Sequence, residues 1–228
     1  MAWKFELLMK PDTEQFITEG PVWDGERIYI TQIRKNRILR YDPKTGVIDE
    51  WRTGTNRTNG LAFDAQGRLF GCCSGGRAIV RFDADGKNVV IADRIDGKKL
   101  NTPNDLAIDR KGRIWFTNPI KDDGSLGGYD ALFTWGEDAR GVHRGIDGMC
   151  LDAEGNIVAT AGYYASGSGP MIYVFSPTGR VLETHPLPAN RPTNCCFGGA
   201  DLTTLFVTST NGHFFKAQTG RVGWAMYP

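Results

Sequence analysis

Apolar residues along this chain come in short alternating runs separated by Gly, Asp, Asn and Pro. The clearest stretch is Asn104-Asp105-Leu106-Ala107-Ile108, then Asp109-Arg110-Lys111-Gly112, then Arg113-Ile114-Trp115-Phe116. An alternating strand, a D-x-x-G turn and a second apolar strand predict a β-hairpin, with Gly112 supplying the permissive dihedral of the turn. The pattern repeats. Asn59-Gly60-Leu61-Ala62-Phe63-Asp64 leads through Gly67 to Leu69-Phe70, and Asp147-Gly148-Met149-Cys150-Leu151-Asp152 leads through Gly155 to Ile157-Val158. Looser copies open at Glu19-Gly20-Pro21-Val22-Trp23-Asp24 and at Asn194-Cys195-Cys196-Phe197. The lead positions 19, 59, 104, 147 and 194 are 40, 45, 43 and 47 residues apart. That is the period of a propeller blade built of four short strands.

Further strands complete these blades. Arg37–Tyr41 and Val47–Trp51 follow the first hairpin, Ala78–Phe82 and Asn88–Ala92 the second, Met171–Phe175 and Val181–Glu183 the fourth, and Gly212–Lys216 the fifth. The third repeat is thin, with Ala131–Trp135 the one clear strand between Pro119 and Asp147. Residues 3–9 alternate loosely and have no hairpin partner, so they are expected to join the C-terminal strands, which removes a raw sheet edge. No segment carries sustained helical periodicity. The expectation is an all-β chain: a β-propeller of four-stranded blades, five in number, forming one domain over residues 1–228.

Composition narrows the partners. With 27 basic and 26 acidic residues the formal charge is +1 and like charges form no long run, which points away from nucleic acid and from a charged membrane surface. The first ten residues mix charges into their apolar stretch and lack a small-residue cleavage site, and no apolar run reaches the roughly 20 residues of a membrane helix. The expected location is cytoplasmic. Cys72, Cys73, Cys150, Cys195 and Cys196 are odd in number and show no C-x-x-C spacing, so they read as reduced, buried apolar residues.

The innermost strands of a propeller run along one axis, so the lead positions Glu19, Asn59, Asn104, Asp147 and Asn194 are expected to converge in one layer. Carboxylate and amide oxygens without His or Cys suit a hard cation such as Ca²⁺, with Glu19 and Asp147 neutralising its charge. A cation held in this way can polarise a carbonyl, and a neighbouring carboxylate can take a proton from water. Asp64, Asp109 and Asp152, by contrast, read as structural residues of the D-x-x-G turns.

On these motifs the chain resembles the senescence marker protein 30, gluconolactonase and luciferin-regenerating-enzyme-like family. The segments that carry the resemblance are Glu19–Trp23, Asn59–Asp64, Leu100-Asn101-Thr102-Pro103-Asn104-Asp105 with Trp115-Phe116-Thr117, Asp147–Asn156 and Pro192–Gly199. The resemblance implies a β-propeller, a divalent metal on its axis and hydrolysis of a sugar lactone. It implies metal ligation by Glu19 and Asp147, with Asp147 also the general base, and places Asn104 near the metal or substrate. Ca²⁺ is the expected metal, with Zn²⁺ or Mg²⁺ as alternatives; Asn59, Asn104 and Asn194 are expected to orient the substrate. Family members usually have six blades, and the P-N-G motif that opens the further blade has no match between Asn118 and Asp147. Two alternatives follow: a six-bladed fold with one blade incomplete, and a propeller of weak or no activity that binds a metal or small ligand. Thr102 stands where some relatives have a substrate-contacting Arg.

Other chemistries find less support. Ser166 and Ser168 lie in a Gly/Ser stretch without a G-x-S-x-G elbow, and His143, His185 and His213 have no spacing that pairs them with a serine, so they read as surface or turn residues. The Gly162–Gly169 segment lacks the following helix and Lys of a phosphate loop.

Overall fold

The computed structural model describes residues 2–10, 17–118 and 132–224. Packing divides the chain into two compact units: residues 19–125 with 226–228, called here the Glu19 unit, and residues 1–18 with 126–225, the Asp147 unit. The first strand, β1 (Glu6–Met9), belongs to the Asp147 unit.

The Glu19 unit opens with an antiparallel sheet of four strands in chain order: β2 (Thr18–Trp23), β3 (Ile28–Gln32), β4 (Arg37–Tyr41) and β5 (Ile48–Thr53). A second such sheet follows, β6 (Thr58–Phe63), β7 (Leu69–Cys73), β8 (Ala78–Phe82) and β9 (Asn88–Ala92). Tyr29, Ile38, Leu61, Leu69, Val80 and Phe82 form the core between these sheets, with Trp51 and Phe63 set edge-on to Tyr29, ring centroids 5.3 Å away in both cases. Next come the hairpin β10 (Arg94–Ile95) and β11 (Lys98–Lys99) and the pair β12 (Leu106–Ile108) and β13 (Ile114–Phe116). Leu106 and Ile108 pack on Phe70, Cys72 and Ile79, so the third repeat covers the second sheet.

The Asp147 unit contains the hairpin β14 (Glu137–Asp138) and β15 (Gly141–Val142), then a four-stranded antiparallel sheet of β16 (Ile146–Leu151), β17 (Ile157–Tyr163), β18 (Ser166–Phe175) and β19 (Val181–Pro186). Its last sheet has the order β1, β22 (Phe214–Gln218), β21 (Thr204–Ser209), β20 (Pro192–Gly198). The amino-terminal strand therefore supplies the fourth strand of the final sheet, pairing Glu6 with Lys216 and Leu7 with Phe215. Val158, Ile172 and Val174 from one sheet meet Cys195, Leu205, Val207 and Phe215 from the other in a single core.

The D-x-x-G turns at Asp64, Asp109 and Asp152 share one wiring. In each, the glycine N–H donates to the aspartate carbonyl, at 2.9 Å (Gly67 to Asp64), 2.8 Å (Gly112 to Asp109) and 3.0 Å (Gly155 to Asp152). Each aspartate Oδ1 also accepts two backbone N–H groups, from Gln66 and Arg68, Lys111 and Arg113, and Glu154 and Asn156. The backbone carbonyl and Oδ1 of Asp64, Asp109 and Asp152 thus close hairpins.

For the third repeat the described residues give the pair β12 and β13, in line with its thin pattern, and residues 119–131 lie outside them. Other expectations need correction. Of the expected strand Ala131–Trp135 the described residues 132–135 form no strand; Phe133 and Trp135 set their rings on Phe175 and Tyr173, at 5.1 and 5.0 Å between centroids. The Gly/Ser stretch is strand, not free loop: Ser166 begins β18 and is buried, with its hydroxyl donating to the Val142 carbonyl at 2.5 Å. His185 is a buried residue at 3% exposure, stacked on Trp3 with ring centroids 3.7 Å apart. Among the described residues the five cysteines are free thiols, and burial pushes Cys72, Cys73 and Cys196 upward.

Candidate functional site

Three of the lead positions, Asn59, Asp147 and Asn194, lie where an innermost strand breaks register. β6 slips against β7 between Thr58 and Leu61, β16 against β17 between Ile146 and Met149, and β20 against β21 between Pro192 and Cys195. A bulge takes its residues out of the ladder and re-aims their side chains, which is why bulges gather beside active sites. Asn59-Gly60 and Asp147-Gly148 are such residues.

The glycine after the lead residue has a steric cause. A Cβ on Gly20 would lie 2.6 Å from the Asn59 carbonyl oxygen, and Gly20 has φ +50°, so only glycine fits there. A Cβ on Gly60 would lie 2.7 Å from Asp105 Cα, and Gly60 N–H donates to the Asn104 carbonyl at 2.8 Å. Within the Glu19 unit the structure therefore brings Glu19-Gly20, Asn59-Gly60 and Asn104-Asp105 side by side. Within the Asp147 unit a Cβ on Gly148 would lie 2.8 Å from Asn194 Cα, which sets Asp147-Gly148 beside Asn194.

These contacts shift one alignment. Gly148 packs on Asn194 as Gly60 packs on Asp105, and both acceptors take the next backbone N–H, Asp105 Oδ1 from Leu106 at 2.9 Å and Asn194 Oδ1 from Cys195 at 2.8 Å. Asn194 thus matches Asp105, not Asn104, and Thr193 occupies the lead column. A one-residue slip along a strand sends the side chain to the other face. Asn194 is 7% exposed and braces the bulge.

Glu19 is buried at 7% exposure, and its Oε2 accepts the Gly20 N–H at 3.0 Å. Asn59 is half-buried, while Asn104 and Asp147 are exposed. Asp147 Oδ2 is bound by the Arg144 guanidinium, which also donates to the Pro192 carbonyl at 3.0 Å. Among the described residues no group of three or more His, Cys, Asp or Glu side chains is placed to hold a metal. The lead-position donors, one buried carboxylate with neighbouring amides, fit a hard cation that accepts carbonyl and water oxygens better than they fit zinc.

Sequence reasoning missed the residues behind this layer. Thr31 Oγ1 donates to the Asn59 carbonyl at 3.0 Å. Thr160 Oγ1 accepts the Gly148 N–H at 3.1 Å and lies 2.9 Å from the Gly148 carbonyl and 3.1 Å from that of Thr193. Thr208 Oγ1 donates to the Asn194 carbonyl at 3.3 Å. These buried hydroxyls satisfy backbone groups that the bulges release from the ladders. The one signal for them was a threonine on the second strand of three hairpins, which a β-branched preference already explains. A cavity of about 520 Å³ in the Asp147 unit, lined by Trp3, Asp152, Glu154, Glu183 and Arg221 among others, includes none of the lead residues.

Comparison with known proteins places this architecture. A family profile described as SMP-30/Gluconolactonase/LRE-like region matches residues 17–144 and 130–211. A pentonolactonase of Haloferax volcanii is 26% identical, over 88% of this chain and 84% of that protein. A gluconolactonase of Zymomonas mobilis is 23% identical, over 85% and 76%. The first of these alignments runs over 259 positions, more than the 228 residues here, so the relative carries residues without a counterpart in this chain. Among solved structures, a gluconolactonase from Xanthomonas campestris superposes with a TM-score of 0.72 at 24% identity, over 95% of this chain and 89% of that one. A calcium-binding protein, regucalcin, from Agrobacterium tumefaciens gives 0.65 at 15% identity, over 100% and 98%. At such identities the structural likenesses bear on the fold alone. The profile covers most of the chain, including every bulged lead position, and the chain belongs to the SMP-30/gluconolactonase/LRE-like family.

Proposed function

We propose that this chain is a single β-propeller domain that hydrolyses a sugar lactone with the help of a divalent cation, Ca²⁺ in the first instance. The observation that carries the reading is the bulge at Asp147-Gly148: it takes a carboxylate out of the ladder, in a chain whose family includes lactonases. Glu19, Asn104 and Asp147 would hold the cation. When bound, it would polarise the lactone carbonyl. Asp147 takes the proton of the attacking water, and the proton then goes to the departing ring oxygen, leaving the hydroxy acid. Asn59 and Asn104 orient the substrate oxygens through their amides, and Asn194 acts by bracing Gly148. Glu19→Gln and Asp147→Asn, assayed for acid release from a panel of aldonolactones with Ca²⁺ present, should each lose at least about 100-fold in turnover while keeping the fold. Unchanged turnover in either variant would refute the role given to that residue.

A second reading is favoured by the lack of a P-N-G motif between Asn118 and Asp147: a protein that binds a cation or small ligand and turns over little or nothing. Calcium titration by calorimetry, followed by the same lactone panel, separates the two. Heat of binding without acid release supports the second.

A further inference from the structure

We infer that Arg144 is the positioning residue for Asp147. One terminal nitrogen of its guanidinium binds Asp147 Oδ2, and the other donates to the Pro192 carbonyl at the start of β20 (3.0 Å) and to the Gly162 carbonyl in β17 (3.4 Å). The Arg144 backbone is fixed as well, since its carbonyl accepts the Gly162 N–H at 2.9 Å. The side chain is 22% exposed and the Asp147 side chain 34%.

The physical need for such an anchor comes from the bulge. Between Ile146 and Met149 the β16–β17 ladder loses register, so strand pairing does not determine where the Asp147 carboxylate points. A group that moves a proton has to be held within about 0.5 Å of its working position, and on a partly exposed bulge that constraint has to come from another side chain. A planar guanidinium with donors on two sides can supply it, because one side is seated on two backbone carbonyls while the other takes the carboxylate. What Asp147 then does rests on the lactonase reading; that Arg144 holds it does not.

The test uses the full chain with Ca²⁺ and D-glucono-δ-lactone as the probe. Arg144→Gln should lower kcat by about 10- to 100-fold, the range for partners that orient a working ligand, and leave KM within about twofold. Arg144→Lys should recover at least about threefold over Gln, because an ammonium reaches the carboxylate but cannot span both carbonyls. The double variant with Asp147→Asn should be no slower than Asp147→Asn alone, since the arginine acts through that carboxylate. A kcat for Arg144→Gln within twofold of the parent, or an undiminished effect in the Asp147→Asn background, overturns the assignment. If the parent protein opens no lactone, the lactonase reading alone fails, and crystal structures decide the role of Arg144. An Asp147 carboxylate displaced or split over rotamers in Arg144→Gln supports it, and one in its parent position overturns it. Should the Gln variant not fold, the Lys variant is judged by the same two outcomes.

Discussion

The D-x-x-G turn closes a hairpin in both units, yet its second carboxylate oxygen is satisfied in opposite ways. In the Glu19 unit the answer is local: Asp64 Oδ2 takes Arg68 Nε at 2.6 Å and Asp109 Oδ2 takes Arg113 Nε at 2.6 Å, each arginine four residues on and more than half exposed. In the Asp147 unit that fourth position is Asn156, and the charge on Asp152 is met by Arg221, 69 residues downstream, at 2.6 Å. Asp152 is 1% exposed, and Arg221 also binds Glu183. Burial works to raise the Asp152 carboxyl, but the Asn156 and Arg221 donors outweigh it and hold it below the usual carboxylate range. One turn motif therefore serves as a self-contained corner in one unit and as a long-range tie in the other. Exposure, not motif, decides what the ion pair is worth.

Four outcomes would sharpen or break that contrast. Arg221→Met leaves Asp152 buried without its counter-charge and should cost about 3 kcal/mol, read from the urea midpoint. Gly148→Ala and Gly60→Ala should each cost about 1–3 kcal/mol, because both place a methyl on a neighbouring backbone; a large effect at one and none at the other would mean that the inner strands pack differently in the two units. A third outcome concerns acid. Burial lowers the His185 pKa, with Glu183 opposing it; the ring accepts the Trp3 N–H on Nδ1 at 3.1 Å and so is neutral there. The unfolded chain protonates first, near 6.5, so this stability is present above that pH and is lost as the pH falls from there through the lower folded value. Thermal melting should drop below about pH 6.5, and His185→Gln should flatten that limb. A parent curve with no slope there would remove His185 as a source of acid sensitivity. Smallest is Arg113→Met, whose Asp109 partner keeps 25% of its side chain exposed, expected below about 1 kcal/mol in the same urea series. A cost equal to that of Arg221→Met would end the comparison.

Much of this architecture is legible in the chain. The alternation and the Gly-bearing turns locate most of the strands, and the unpartnered alternation at residues 3–9 points to the pairing of β1 with β22. The aspartates of the turns are separable from the lead residues because a turn fixes its own chemistry locally. Three things are not legible. A bulge adds one residue without changing composition, so the match of Asn194 to Asp105 is invisible until backbones are paired. The hold of Arg144 on Asp147 depends on where Gly162 and Pro192 lie. The tie from Arg221 to Asp152 links distant segments, and no local pattern encodes a distant partner. The buried state of His185 follows from the same cause, since it requires Trp3 to arrive from the other end of the chain.

The pairing of Glu6 with Lys216 also bears on how the protein is made. During translation β1 emerges about 200 residues before β22, so it waits unmatched while the strands between them are made, a vulnerable interval for any apolar edge. Completing the terminal sheet is then a late event with a long loop to close, and folding should be slow for a chain of this size. Burdening β1 would be felt about 200 residues away in sequence, in the stability of β22.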